Sequence, residues 1–172
     1  MNSFARKPWF HKLNRTVSRA RQASRESMLW TGNLKKRLLL DIAKRIRANL
    51  GTILSENLKD VKRARLTGLS AAMIDRLSLN EARLLAMEEG VRGVANLEDP
   101  IGKVLSRWTR PNGLRLQKVS VPLGVILIIY ESRPNVTVEC AALCLKSSNA
   151  VILRGGREAM NTNKVFLRIF RE

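Results

Sequence analysis

Histidine is almost missing from this sequence, with His11 standing alone, and cysteine is limited to Cys140 and Cys144. A structural zinc site draws four ligands from such residues, and two cysteines with one distant histidine do not supply them. The cysteines are spaced i, i+4 on an apolar helical pattern, so both project from one helix face toward a core. A reactive thiol needs an electropositive, partly open setting, which that pattern does not offer. Unpaired cysteines of this kind fit a reducing cytoplasm.

Long apolar runs are also missing. The longest, Val121 to Tyr130, holds a proline and a glycine and is about half the roughly twenty residues of a membrane helix, so no membrane partner is expected. The amino terminus lacks the apolar core and cleavage site of a secretory signal. Phe4, Trp9, Phe10 and Leu13 among Arg, Lys and Ser bear only a faint likeness to an organelle transit peptide. Acidic residues are few: 14 against 32 Lys and Arg, a net charge of +18. The excess sits at the two ends, where residues 1–40 hold ten basic residues against one acid, Glu26, and residues 101–172 hold twelve against four. Such a field attracts phosphate of any origin. With three Trp, one Tyr and no basic recognition motif, no specific nucleic-acid partner is expected.

What remains is an ordinary globular composition, 45% apolar and 27% charged. The first two-thirds reads helical. Asn33 is placed to cap a helix with Leu34, Leu38, Ile42, Ile46 and Leu50 on one face, and Gly51 to close it. Ile53, Leu54, Leu58 and Val61 continue the pattern. Gly68 and Ser70 open a short helix through Leu77, and Asn80 caps another to about Val94. The organisation changes near Asp99-Pro100. From Lys103 the period is two, Arg110-Pro-Asn-Gly turns the chain, and the alternation resumes to Val119, which makes a hairpin. Two strands are too few to stand alone, so the hairpin is expected to dock on something else.

Val125 to Tyr130 is an apolar run rich in β-branched residues, suited to a parallel strand buried on both faces. A polar loop, Glu131 to Asn135, leads to a helix over Val136 to Lys146. A second strand spans Ala150 to Leu153, Arg154-Gly-Gly156 forms a tight loop, and a last helix starts near Arg157. Right-handed crossover makes the strands parallel neighbours. The fold class is therefore α/β, with a helical amino-terminal region, a β-hairpin and a β-α-β-α unit. Both loops sit where strands end and helices begin, the usual place for anions. The first offers Arg133 as a forked donor and Asn135 as a cap or amide donor beside Pro134. The second lets backbone approach a ligand while Arg154 pairs with phosphate. Neither G-x-G-x-x-G nor a Walker loop occurs. Glu131, Glu139 and Glu158 are available carboxylates with no local sign of a perturbed site.

Several strings are specific: Val121-Pro-Leu-Gly-Val-Ile, Ile129-Tyr-Glu-Ser-Arg-Pro-Asn-Val-Thr137, Ala141-Ala-Leu-Cys-Leu-Lys-Ser147 and Asn149-Ala-Val-Ile-Leu-Arg-Gly-Gly156. They closely resemble glutamyl-phosphate reductase, also called glutamate-5-semialdehyde dehydrogenase. Gly68 to Met73, Val94 to Leu97 and Pro111 to Leu114 extend the likeness to about Ala20 through Lys164. The resemblance implies an aldehyde-dehydrogenase-like cofactor domain, a catalytic domain with a nucleophilic cysteine, and an oligomerisation hairpin, here Lys103 to Val121. It implies reduction of L-glutamate 5-phosphate by NADPH to glutamate 5-semialdehyde and phosphate, through a thioester, in proline biosynthesis. By the same likeness Arg154, Gly155, Gly156 and Glu158 lie along the cofactor, and Ser132, Arg133 and Asn135 face the substrate.

The resemblance divides the chain into a basic extension (1–15), a helical region (16–99), the hairpin (100–121) and the start of a dinucleotide-binding sheet (122–172). The family is more than twice as long, and its nucleophilic cysteine belongs beyond residue 172, so Cys140 and Cys144 do not inherit that role. The chain is expected to be inactive alone. The alternative is a non-catalytic interaction subunit, or a decaying duplicate, that joins a fuller or complementary reductase chain through the hairpin. Leu127, Ser120 and Ser148 depart from residues common in the family, Ser148 standing where glycine precedes Asn149.

Overall fold

The computed structural model describes residues 7–171; Phe4 and the start of the basic extension lie outside them. The first helix, α1 (Pro8–Ser27), carries proline in its first turn, where no helical N–H is lost. It runs through residues 15 and 16 without a break.

Helix α2 (Gly32–Ala48) begins at Thr31, whose hydroxyl accepts the Leu34 N–H at 3.2 Å. The cap is thus Thr31 and not Asn33, which lies inside the first turn. Gly32 is needed at this start by crowding, because a Cβ there would come 2.9 Å from an Asp99 carboxylate oxygen. The chain turns at Asn49 into α3 (Leu50–Leu66), so Gly51 sits within α3 and closes nothing. Leu58 falls on the outer face of α3 and is exposed, against the pattern that grouped it with Ile53 and Val61. Ser70 and Asn80 cap α4 (Ala71–Leu77) and α5 (Glu81–Asn96) as the sequence predicts.

The core forms where α2 and α5 pack, with Leu39, Ile42 and Ile46 against Leu84, Met87 and Val91. Burial of each such side chain stabilises by about 1.5–3 kcal/mol. The hairpin strands β1 (Val104–Thr109) and β2 (Arg115–Val119) pair antiparallel. Gly113 turns them at a φ of 85°, open to glycine at little cost. Every residue of β1 is exposed. Ser120, one of the departures, accepts the Lys103 N–H at the hairpin base.

Strands β3 (Val125–Ile129) and β4 (Ala150–Arg154) pair parallel, Val125 opposite Ala150 through Ile129 opposite Arg154. Helix α6 (Pro134–Lys146) crosses between them, and after a short 3-10 turn at Arg157–Ala159 comes α7 (Met160–Ile169). Helices α6 and α7 pack side by side and join the α2–α5 core through Val138, Ala142, Val165 and Phe166. One expectation fails here: β3 is not buried on both faces. Ile126 and Ile128 are partly covered, but Leu127 and Ile129 are 60% and 73% exposed, because α1 crosses mainly over β4.

Two long-range polar clusters fix the strand ends. Asp60 on α3 is fully buried and accepts the Thr162 N–H and hydroxyl, both at 2.8 Å, and the Asn161 N–H at 3.2 Å. It caps α7 from another element, since α7 has no local side-chain cap. At the opposite end, Lys35 is buried and its ammonium lies 2.7 Å from the Asp99 carboxylate and 3.0 Å from the Ser148 hydroxyl. Ser148 has a φ of 55°, the left-handed region that glycine fills most easily. Its hydroxyl takes the lysine bond, and its carbonyl accepts the Ser27 hydroxyl at 2.9 Å.

Candidate functional site

The loop after β3 and the loop after β4 open on the same end of the parallel pair, and one contact joins them. Ser132, buried, donates its hydroxyl to Glu158, so residues predicted for the substrate side and for the cofactor side meet across 26 positions. Glu158 is held below the usual carboxylate range by that hydroxyl and its own N–H, with the charges of Arg63 and Arg154 helping and partial burial opposing. It is therefore an ionised acceptor at neutral pH. Arg63 also donates to the Arg157 carbonyl at 3.1 Å and to Asp60 at 3.0 Å, tying the 3-10 turn to α3.

Arg154 ends β4 exposed and donates to the Gly155 carbonyl. Gly155 lies against Tyr130 and Asn163, and an added Cβ would come 2.8 Å from the phenol oxygen. Gly156 is covered in the same way by the Ser132–Glu158 pair. These glycines thus admit the chain's own side chains. Beside them runs a polar relay that the sequence reading missed. Thr137 donates to Asn163 at 2.7 Å, so Tyr130 donates to Thr137 at 2.6 Å. Burial pushes the Tyr130 phenol up, more than its Thr137 bond and nearby charge alter it. A tyrosine ending an apolar strand, with its polar tip in need of a partner, was the available signal.

Two cavities flank this junction. The larger, about 660 Å³, is lined by Arg154, Gly155, Gly156, Tyr130, Thr137 and Asn163, and runs back along β4. The smaller, about 420 Å³, holds Arg133 and Asn135 together with Arg76 and Arg83 from α4 and α5. The predicted residues therefore divide: Arg133 and Asn135 open to one cavity, and Arg154, Gly155 and Gly156 to the other. Arg133 is the residue before α6, and Asn135 lies in its first turn, where Pro134 is the first helical residue. Asn135 is thus no cap, and its amide donates to Glu139 at 3.2 Å. Glu131 lies 3.0 Å from Arg76 and 3.7 Å from Arg133. Arg83 spends its guanidinium on the Asp75 and Ser78 carbonyls and the Asp75 carboxylate. Three guanidiniums interleaved with carboxylates suit a ligand carrying both signs of charge.

Neither thiol lines either cavity. Burial pushes both up, with Glu139 adding to the effect at Cys140 and Cys140 adding to it at Cys144. Both stay protonated at neutral pH and are poor nucleophiles. Among the described residues no group of His, Cys, Asp and Glu is placed to hold a metal ion, and no helix is long and apolar enough to cross a membrane.

A helical layer bearing a parallel β-α-β-α unit, with charged loops at the carboxyl ends of its strands, defines an α/β protein. No family model matches the chain. It is 54% identical over 156 residues to the gamma-glutamyl phosphate reductase of Carboxydothermus hydrogenoformans and 48% identical to that of Aquifex aeolicus, covering 91% of itself in each case. The solved structure of the Thermotoga maritima gamma-glutamyl phosphate reductase superposes with a TM-score of 0.89 at 40% identity over 92% of the chain. The Saccharomyces cerevisiae enzyme gives 0.85 at 37% over 88%. Over about nine-tenths of its length the chain is similar to gamma-glutamyl phosphate reductases, and it corresponds to an amino-terminal portion of them. It spans 36–38% of the length of these relatives.

Proposed function

We propose that this chain is the cofactor-side part of a cytoplasmic glutamyl-phosphate reductase, acting in proline biosynthesis on L-glutamate 5-phosphate with NADPH. The observation that carries the reading is the Ser132–Glu158 junction, which sets a charged loop from each strand end against the other. Arg154 presents an exposed guanidinium suited to a 2′-phosphate and Glu158 an ionised acceptor suited to ribose hydroxyls, while Gly155 and Gly156, whose missing side chains make room for Tyr130, Ser132 and Glu158, leave the loop backbone lining the larger cavity. The residues present thus fit an NADP-type cofactor. Bound there, NADPH supplies the hydride that reduces the acyl group. Arg133 and Asn135, joined by Arg76, orient the substrate from the smaller cavity, and Ser132 keeps Glu158 in place between the two.

These residues bind and orient. Both thiols are raised by burial and lie away from the cavities, which supports the reading that a further part of the enzyme supplies the acyl-accepting thiol. The exposed side chains of the β1–β2 hairpin support a second reading, assembly with a complementary or identical reductase chain through Lys103 to Val121. Titration with NADPH and NADH by nicotinamide fluorescence tests the cofactor assignment. Preference for NADPH is expected, and Arg154→Glu is expected to reduce it at least tenfold. An unchanged preference removes the assignment. Steady NADPH oxidation by the chain alone with glutamyl phosphate overturns the inactivity.

A further inference from the structure

Helix α1 is held at one end. It packs on β4 and β3 through Ser24 and Ser27, which are buried, and the Ser27 hydroxyl donates to the Ser148 carbonyl at 2.9 Å. From Lys7 to Ala23 no residue is buried. The outer half, Pro8 to Ala20, thus extends about 20 Å from that seat, and the strings that carry the likeness to the reductases begin only near Ala20.

The side chains of this outer half are sorted by kind. Trp9, Leu13, Val17 and Ala20 recur every three or four residues and share one face, with Phe10 beside them. Leu13 and Val17 are 49% and 45% exposed, and Trp9 meets Phe10 edge to face at 5.9 Å. Helical spacing puts Lys12, Arg15 and Arg19 along one border of the stripe and Arg21 and Arg25 along the other, with His11, Asn14, Ser18 and Gln22 at the back. No acid precedes Glu26, which accepts the Gln22 amide at 3.0 Å.

An apolar stripe bordered by cations on both sides is complementary to a planar surface that is apolar within and anionic at its boundary. A bilayer of anionic lipid has that layering: its acyl chains take the aromatic and aliphatic side chains, while Lys and Arg run their stems outward and set their charges among the phosphates. Each cation near such a leaflet adds to the attraction. A nucleic acid would engage the cations and leave the stripe in water. The expectation of no membrane partner rested on the lack of a spanning run, and a helix lying in the surface needs none.

We propose that the outer half of α1 docks the protein on an anionic lipid surface, lying in its plane with Phe10, Leu13 and Val17 toward the acyl chains and Lys12, Arg15 and Arg19 among the phosphates. No residue of this segment borders either cavity, so the inference stands apart from the cofactor and substrate assignments.

The full 172-residue chain is floated with vesicles of phosphatidylcholine alone and of phosphatidylcholine with about one-third phosphatidylglycerol. Binding at least tenfold tighter to the anionic vesicles is expected, weakening as salt rises. With Trp30→Phe and Trp108→Phe in place, Trp9 emission is expected to shift to the blue and to be quenched by brominated acyl chains. Leu13→Gln with Val17→Gln, and Arg15→Glu with Arg19→Glu, are each expected to weaken binding at least tenfold. These side chains are exposed, and the circular dichroism of both variants is expected to match that of the parent. Lys62→Glu with Arg65→Glu, at exposed positions on α3, changes the net charge as much as the α1 arginine pair and is expected to alter binding less than twofold. Equal binding to both kinds of vesicle, an unquenched Trp9, or a loss with the α3 pair as large as with the arginine pair overturns the proposal. So does a Leu13 and Val17 variant that binds like the parent, which reduces the helix to a general cationic field open to nucleic acid. Self-association that this variant abolishes, without vesicle binding, assigns the stripe to a second copy of the chain and overturns it as well.

Discussion

Asp60→Ala should be among the most damaging single changes outside the apolar core. The carboxylate is fully buried and serves three donors at the start of α7: the Thr162 N–H, the Thr162 hydroxyl and the Asn161 N–H. Thr162 is itself fully buried, so water cannot replace the lost acceptor at its N–H. Each orphaned buried donor costs about 1–3 kcal/mol. Asn57 donates to the hydroxyl oxygen at 3.2 Å and so cannot replace the acceptor, and the hydroxyl recovers part of the loss only by rotating toward a backbone carbonyl. Arg63 is half exposed, and its ion pair adds little. The expected total is about 3 kcal/mol, equivalent to a fall of roughly 1.5 M in the urea midpoint at a slope of about 2 kcal/mol per M. Urea unfolding followed by circular dichroism measures it, with an unchanged slope showing that the unfolded state is the same. A loss below about 1 kcal/mol would refute the reasoning and mean that α7 does not depend on α3 for its cap.

Acid should unfold the protein through carboxylates with lowered folded-state pKa values. At Asp99 and Glu88 burial alone would raise the pKa, but Lys35 and the Ile101 N–H outweigh it at Asp99, and Arg92 and Arg47 at Glu88. Glu158 is lowered as well. Their stabilisation is complete above the unfolded values near about 4 and is lost as pH falls through the lower folded values. Melting temperature should therefore drop below about pH 4, and a flat profile from pH 5 to 2 would contradict it. Asp99→Asn should cost about 3 kcal/mol in chemical unfolding at pH 7, because it leaves the Lys35 ammonium buried and poorly paired; a loss under 1 kcal/mol would show that Ser148 suffices as partner. Iodoacetamide at pH 7.5 should label Cys140 and Cys144 at least tenfold more slowly than free cysteine, and comparable rates would argue against protonated, shielded thiols. Gly155→Ala should lower stability by about 1–3 kcal/mol, since the new methyl meets the Tyr130 phenol, and calorimetry would expose a neutral outcome.

The features legible in the sequence are the local ones. Ser70 and Asn80 cap their helices because a side chain three residues upstream of a free N–H reaches it without help from the rest of the chain. The hairpin turn follows from Gly113, and the parallel pair from two apolar runs joined by a helix. Errors arose where two local solutions were equally good. Thr31 and Asn33 are both competent caps, and the closeness of Asp99 to Gly32 accompanies the earlier start. The strand at Val125 reads as buried from composition alone, whereas its exposure is fixed by where α1 crosses the sheet.

Residue order by itself determined the element types, the parallel β-α-β-α connection and the likeness to gamma-glutamyl phosphate reductases, all of which rest on neighbours in the chain. Only the tertiary structure decided which charged groups leave water. Lys35 meets Asp99 across 64 positions, Asp60 meets Thr162 across 102, and Ser132 meets Glu158 across 26. A lysine or aspartate has the same side chain whether solvated or buried. Its partner is set by how helices pack, a global property of the core that spacing along the chain does not encode.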